Sequence, residues 1–403
     1  MFIKAFGKEL GEMTTDITKT IVEQGFQAGE MKKLSDANMV LFLEQVQLLP
    51  KYNQFIDYSE IINQTVLAQD KEKIKTINSI SNLINLEKVD LGNNLISDLS
   101  PLASLSKLYS LSVLRNKVSN IQPLVALTNL KTLNLSFNSK IKDYSSLLQL
   151  SALEELDIQS NDIFDISFIQ QLTQLTYLEL SSNNIKNISS LQNLKQLKTL
   201  YLSCNMLTDM SPLSHLSSIT ELHLESNKIK NITPLSRFQN LEYLTLANNP
   251  LQSLLPLHKM HSLLYLALTN CTLVDITPLS HLKLKILRLS QNKIVDVKAL
   301  KQMQLQTLSL EHNLIQDFKD LKTHPNYKKY NKSQQKEPTN AQKRSFLRQK
   351  TVNSSQMQIN SIFTRKQIQV QLKEVKTKVN VILTNVINLM NKEVQLLFLL
   401  VNQ

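Results

Sequence analysis

Between Leu86 and Leu321 the apolar positions follow two alternating rhythms. A short stretch in which Leu86 precedes the alternating pair Val89 and Leu91 ends at Asn94, and 22 residues later Leu108, Leu111 and Val113 end at Asn116. Leu130, Leu133, Leu135 and Asn138 follow in the same register. The series runs on through Asn161, Asn183, Asn205, Asn227, Asn249, Cys271, Asn292 and Asn313, with one residue added before Asn161 and one lost before each of the last two. Period-two alternation predicts eleven short strands with their leucines facing inward. Ten end in Asn and one in Cys. An Asn side chain both donates and accepts, so it can satisfy backbone groups where the chain turns off a sheet inside a stack.

The second half of each unit reads x-I-x-D-I-x-P-L-x-x-L, as in Ile96, Asp98, Leu99, Pro101, Leu102 and Leu105, or Ile229, Asn231, Ile232, Pro234 and Leu235. It is too short and too often interrupted by Pro for an α-helical crossover, which predicts 3₁₀ turns. Pro is replaced at Ser146, Phe168, Ser190, Ala299 and Asp320, so looser or differently helical turns are expected there. A single unit cannot bury its own apolar face, whereas a stack buries a continuous one.

This pattern resembles leucine-rich repeats of the 22-residue class, the internalin-like repeats shared with the leucine-rich regulatory subunit of type-1 protein phosphatase, over Leu86 to Leu321. The resemblance implies an α/β fold, a leucine-rich repeat solenoid. That fold is a right-handed horseshoe with a parallel sheet on its concave face and 3₁₀ or irregular turns on its convex side. It also implies a protein partner on the concave face, and a phosphatase as that partner by analogy only.

The flanks read differently. The solenoid is expected over 64–325, opening with a degenerate cap repeat whose second half is Ile74, Ile77, Ile80 and Leu83. Residues 1–63 read as a helical N-terminal region, with Ser35 as an N-cap before Asp36 to Leu49 and Pro50 ending the run. Residues 326–360, rich in Lys, Gln, Asn and Ser, read as a basic flexible linker. In 361–403, Ile368, Leu372, Val375, Val379, Ile382, Val386 and Leu389 form the seam of an amphipathic or coiled-coil-like helix. Self-association through 368–389, folding back on the solenoid, and attachment to anionic lipid through Lys366, Lys373, Lys376 and Lys378 are all compatible with that seam.

Charge changes the picture once it is located. The whole net excess of +12 lies in residues 322–403, where 15 Lys and Arg face three acids, Glu337, Glu374 and Glu393. The repeat region is neutral, so nucleic acid or membrane is a poor partner for the solenoid. A tether to either through the basic tail is the alternative function. The opening Met1 to Met13 is broken by Lys4, Lys8, Glu9 and Glu12, unlike a secretory signal. Val379 to Val401 is interrupted by Asn380, Asn385, Asn388, Asn391, Lys392 and Glu393, unlike a membrane span. Cys204 and Cys271, three repeats apart, are expected to be free thiols. An intracellular location, cytoplasmic or nuclear, is the resulting expectation.

Catalytic chemistry finds little support. Glycine is confined to Gly7, Gly11, Gly25, Gly29 and Gly92, which leaves no phosphate-cradling loop. The histidines, among them His215, His258, His261 and His281, lack metal-ligand spacing. No cofactor, metal or catalytic residue is expected, and the protein reads as a binding scaffold or regulatory adaptor.

The outward strand positions form the surface a partner would read. The third position of successive strands gives Glu155, Tyr177, Thr199, Glu221, Tyr243 and Tyr265, and the fifth gives Asp157, Glu179, Tyr201, His223, Thr245 and Ala267. With Glu154, Glu225 and Glu242 these columns predict an acidic, tyrosine-bearing band suited to a partner surface of basic and apolar character.

Overall fold

The computed structural model describes residues 65–68 and 74–322. The chain divides into two units, Asp36–Gln335 and Met1–Ser35 with Lys336–Gln403. All described residues belong to the first. The helical region expected over 1–63, the linker of 326–360 and the helix of 361–403 lie outside the described residues.

The described residues form one open sheet of twelve parallel strands in sequence order. They are β1 (Val66–Ala68), β2 (Lys88–Asp90), β3 (Ser110–Ser112), β4 (Thr132–Asn134), β5 (Glu155–Asp157), β6 (Tyr177–Glu179), β7 (Thr199–Tyr201), β8 (Glu221–His223), β9 (Tyr243–Thr245), β10 (Tyr265–Ala267), β11 (Ile286–Arg288) and β12 (Thr307–Ser309). This is the leucine-rich repeat solenoid, with the sheet on its concave side and 3₁₀ turns opposite. Each strand is three residues long and its middle residue points inward, as the burial of Leu156, Leu178, Leu200, Leu222, Leu244 and Leu266 demonstrates.

The pattern counts eleven strands, and β1 is the twelfth. It belongs to the degenerate cap repeat, and its sole inward residue is Leu67, too little for an alternation to register in the sequence. Pairing with β2, Val66 against Lys88, defines it instead.

The inserted and deleted residues leave the sheet untouched. Thr132 still pairs with Glu155 across the longer repeat, and Tyr265 with Ile286 across a shorter one. The extra residue is taken up before Ile141, whose N–H closes on the Asn138 carbonyl at 3.0 Å.

An asparagine ladder runs beneath the strand ends. Asn205 shows the scheme: its Nδ2 donates to the carbonyls of Leu180 at 3.0 Å and Leu202 at 3.1 Å, while its Oδ1 accepts the Ile185 N–H at 2.9 Å. One side chain thus links two successive repeats and fills backbone valences that burial would otherwise leave empty. The residue before each ladder position, from Asn93 to His312, has φ between 50° and 61°. No glycine relieves those positions, and such backbone persists only where its surroundings hold it.

The turns follow a second repeated device. In eleven successive connections the residue two before the turn accepts the backbone N–H two residues on. Asp98, Asn120, Asp143, Asp165, Asn187, Asp209, Asn231, Ser253, Asp275, Asp296 and Asp317 do so at 2.8 to 3.1 Å. These Asx or Ser turns set the chain direction locally.

The expectation that turns lacking Pro are looser or differently helical is corrected at Ser146, Phe168 and Ser190, whereas the turns at Ala299 and Asp320, Lys298–Leu300 and Lys319–Leu321, are shortened to three residues. Ser145–Gln149, Ser167–Gln171 and Ser189–Asn193 have no Pro, yet they are five-residue 3₁₀ turns like Ser100–Ser104. The three-residue turns are the last four, and Leu255–Leu257 and Thr277–Leu279 among them do contain Pro. The first hydrogen bond of the turn is common to both lengths and needs no Pro. Leu147 N–H bonds to the Tyr144 carbonyl at 3.0 Å, as Leu102 N–H does to the Leu99 carbonyl.

Candidate functional site

Because the middle residue of each strand is inward, the third and fifth columns both emerge on the concave face. In-register pairing places Glu155 beside Tyr177 and Asp157 beside Glu179. It likewise sets Glu179 beside Tyr201, Tyr201 beside His223, and Tyr243 beside Tyr265.

The rings form an unbroken run across five strands. Tyr177 and Tyr201 lie with centroids 5.6 Å apart and tilted by 50°. Tyr201 stacks on His223 at 4.1 Å, His223 approaches Tyr243 at 5.0 Å, and Tyr243 stacks on Tyr265 at 3.9 Å. The run crosses from the third column to the fifth between Tyr177 and Tyr201 and back to the third between His223 and Tyr243. Beyond it, the Arg288 guanidinium sits over the Tyr265 ring at 5.6 Å, a cation–π contact.

Carboxylates fix the middle of the run. Glu221 Oε1 accepts the Tyr201 hydroxyl at 3.1 Å and meets His223 Nε2 at 2.8 Å. Glu225 accepts from Ser203 Oγ at 2.7 Å and from Thr245 Oγ1, and its other oxygen lies 4.0 Å from His223 Nδ1. Burial opposes ionisation of Glu225, but its contacts with His223, Thr245 and Ser203 outweigh that and hold its pKa down to about 2. Burial also works against a charge on His223, yet Glu225 and Glu221 outweigh it and raise the imidazole pKa. Burial, reinforced by neighbouring carboxylates such as Glu221, lifts the Tyr201 phenol to about 12. Tyr177 and Tyr243 are raised too, so the phenols act as neutral groups.

At the β5 and β6 end the balance is different. Burial raises the pKa of Asp157 and of Glu179 despite hydrogen bonds that lower them. Asp157 Oδ2 accepts from Asn134 Nδ2 at 2.9 Å, and Glu179 Oε1 accepts the Ser181 N–H at 2.7 Å.

Of the sequence-predicted residues, Tyr177, Tyr201, His223, Tyr243, Tyr265, Glu221 and Glu225 come together in one network, with Asp157, Glu179 and Glu155 at its β5 and β6 end. Glu154 stands apart: it is exposed at the strand entrance and ion-paired with Lys131 at 2.8 Å. Glu242 is likewise exposed, one residue before β9. The columns as read stop at Ala267 and so miss Arg288. Carrying the register one strand further, across the 21-residue repeat, places Arg288 opposite Ala267. Ser203 was missed because its role depends on Glu225 two strand positions past His223.

A separate cavity of about 360 Å³ lies on the turn side at the lengthened repeat, lined among others by Tyr144, Phe164 and Phe168. Tyr144 stacks on Phe168 at 5.1 Å, and its buried hydroxyl has no hydrogen-bond partner among the described residues. Cys204 is exposed and Cys271 buried, both as free thiols. Among the described residues no group of three His, Cys, Asp or Glu is placed to hold a metal ion. No helix among them is long and apolar enough to cross a membrane.

Comparison with known proteins agrees with this architecture. The family described as leucine-rich repeats (2 copies) matches residues 195–237. No curated protein matches the chain significantly. Among solved structures, an internalin (inlF) from Listeria monocytogenes is similar with 27% identity and a TM-score of 0.62, over 72% of this chain and 95% of that one. A leucine-rich repeat protein from Leptospira interrogans is 26% identical with a TM-score of 0.54, over 66% and 81% of the two chains. The functional domain of InlJ from Listeria monocytogenes, which includes a cysteine ladder, shares the fold at 21% identity and a TM-score of 0.50, over 65% and 66%.

Proposed function

We propose that this chain of leucine-rich repeats is a non-enzymatic scaffold or regulatory adaptor that binds a partner protein on its concave face, through the band from β5 to β11. The observation that carries this reading is the continuous run of five rings from Tyr177 to Tyr265 on an outward sheet face. Tyr offers a large, rigid apolar body with a polar tip at little entropic cost, the property that makes it an interface anchor. The rings are already ordered by Glu221, Glu225 and one another, which lowers the cost of association. By analogy with the phosphatase regulatory subunit, a phosphatase is one partner to seek.

The test replaces Glu155, Tyr177, Glu179, Tyr201, Glu221 and Tyr243 together and compares affinity-purified partners with those of the unaltered protein. Loss of specific partners is expected, and unchanged recovery sinks the reading. The basic tail favours a second reading, tethering to nucleic acid or anionic membrane. Salt-sensitive binding that disappears on deleting residues 326–403 would support it.

A further inference from the structure

The two ends of the aromatic run differ in a way that specifies what it receives. At the β10 end the last ring, Tyr265, is covered by the chain's own guanidinium, Arg288 at 5.6 Å. At the β6 end the run stops on Tyr177, and its neighbours are Glu155, Asp157 and Glu179. Asp157 and Glu179 are directly paired on adjacent strands, so they stand on the same face with their backbones a strand spacing of about 4.8 Å apart, and the charge of Asp157 acts on Glu179. Like charges placed so repel each other. Burial compounds the cost, since Glu179 is only 7% exposed.

The hydrogen bonds these carboxylates accept come from neutral donors: the Asn134 amide, the Gln159 backbone N–H and amide, and Ser136 for Asp157, and the Ser181 backbone N–H for Glu179. Among the described residues no Lys or Arg lies within ion-pair distance of Glu155, Asp157 or Glu179; the nearest acid so paired, Glu154, faces the strand entrance. Tyr177 and Tyr201 are also the most widely spaced and most tilted rings of the run, at 5.6 Å and 50° against 3.9 Å and 10° for Tyr243 and Tyr265. Their faces are not closed on each other.

We propose that Asp157, Glu179, Tyr177 and Tyr201 seat an arginine side chain of the protein partner, completing at the β6 end what Arg288 completes at the β10 end. This rests on the concave-face reading and names the chemistry that reading requires. Guanidinium is preferred over ammonium because its plane stacks on an aromatic face while its fork of N–H donors meets two carboxylates at once. A lysine supplies charge without that fit. The incoming cation relieves the repulsion between Asp157 and Glu179, so the strain stored in the free protein is returned on binding.

The test is fluorescence anisotropy on the full chain with a labelled ten-residue peptide alternating Ser and Arg. Two sister peptides carry Lys, or the neutral isostere citrulline, in place of Arg. Relative to the arginine peptide, at least threefold weaker binding is expected for lysine and at least tenfold for citrulline. Asp157→Asn combined with Glu179→Gln should weaken the arginine peptide at least tenfold and erase its advantage over lysine. Asp90→Asn, which removes a carboxylate from the same face on β2, should change nothing.

Equal binding of the arginine and lysine peptides to the unaltered protein overturns the proposal, as does a double variant that binds like the original. Thermal melting of the double variant guards against misfolding, and it should melt no lower than the unaltered protein. If the sixfold variant loses its partners while the peptides fail these criteria, the concave site stands and the arginine seat falls.

Discussion

Cys271 Sγ donates to the Leu246 carbonyl at 3.2 Å, the bond that an asparagine Nδ2 makes in the other repeats. The thiol replaces the donor half of the asparagine but not the acceptor half. The Leu251 N–H, whose counterparts reach the Oδ1 of the next ladder residue, folds back onto the Asn249 carbonyl at 2.9 Å instead. Burial pushes the Cys271 thiol up to about 12, and Cys204 is exposed. A thiol-modifying reagent should therefore label one cysteine, Cys204, in the native protein and two after denaturation. Mass spectrometry of the labelled peptides checks it, and native labelling of Cys271 would contradict it.

Removing a complete ladder residue should cost more. Asn205→Ala leaves the buried Ile185 N–H without its acceptor and takes one of two asparagine donors from each of the Leu180 and Leu202 carbonyls, which keep Asn183 and Asn227. A loss of about 1 to 3 kcal/mol is expected from the unsatisfied buried N–H. The exposed Lys186, next to Ile185, changed to Ala should stay within about 0.5 kcal/mol of the original. Urea denaturation of the two variants separates these outcomes.

The lengthened repeat carries an opposite case. Tyr144 occupies a row held elsewhere by Leu99, Ile121, Ile166 and Ile188, and its buried hydroxyl has no partner among the described residues. Tyr144→Phe keeps the stack on Phe168 and removes the unpaired group, so the variant should be more stable by about 1 kcal/mol. A fall in the denaturation midpoint would show that the hydroxyl is satisfied in solution.

Acid should act on the turns and on the concave site in opposite senses. Hydrogen bonds from Ser100 lower the pKa of Asp98, and bonds from the residue two positions on do the same for Asp143, Asp209, Asp275, Asp296 and Asp317. A depressed folded pKa contributes stability that is present above the unfolded value, about 4, and is lost as the pH falls through the folded one. Glu179 is raised by burial, so its ionisation in the folded state weakens the protein as pH rises above the unfolded value. Glu179→Gln should be more stable than the original at pH 7 and lose that advantage near pH 4. Denaturation curves at the two pH values test the crossover.

His223 provides a direct titration. Its folded pKa is raised by Glu225 and Glu221 against the effect of burial. Its contribution is therefore complete below the unfolded value of about 6.5 and is lost as pH rises through the folded value. Glu221→Gln removes the carboxylate 2.8 Å from Nε2 and should bring the imidazole pKa down. Proton NMR of the ring across pH 5 to 9, a range of about 4 units around that reference value, reads the shift directly.

The sequence by itself determined the repeat, the inward leucines, the ladder asparagines and the two outward columns, because each depends on a local period that the chain repeats with almost no exception. Even Asp98 and Asn231, which open their turns, are visible as letters of the pattern. Only the tertiary structure decided the relations between repeats. β1 exists through its pairing with β2, since Leu67 alone makes no pattern. Turn length does not follow the presence of Pro: Ser145–Gln149 lacks it and has five residues, whereas Leu255–Leu257 contains it and has three. The aromatic run crosses columns between Tyr177 and Tyr201 and again between His223 and Tyr243, and ends on Arg288, a relation set by side-chain direction between strands about 21 to 22 residues apart, beyond the reach of any local rule. The same packing brings Asp157 and Glu179 side by side, two carboxylates harmless in the sequence and costly on one face.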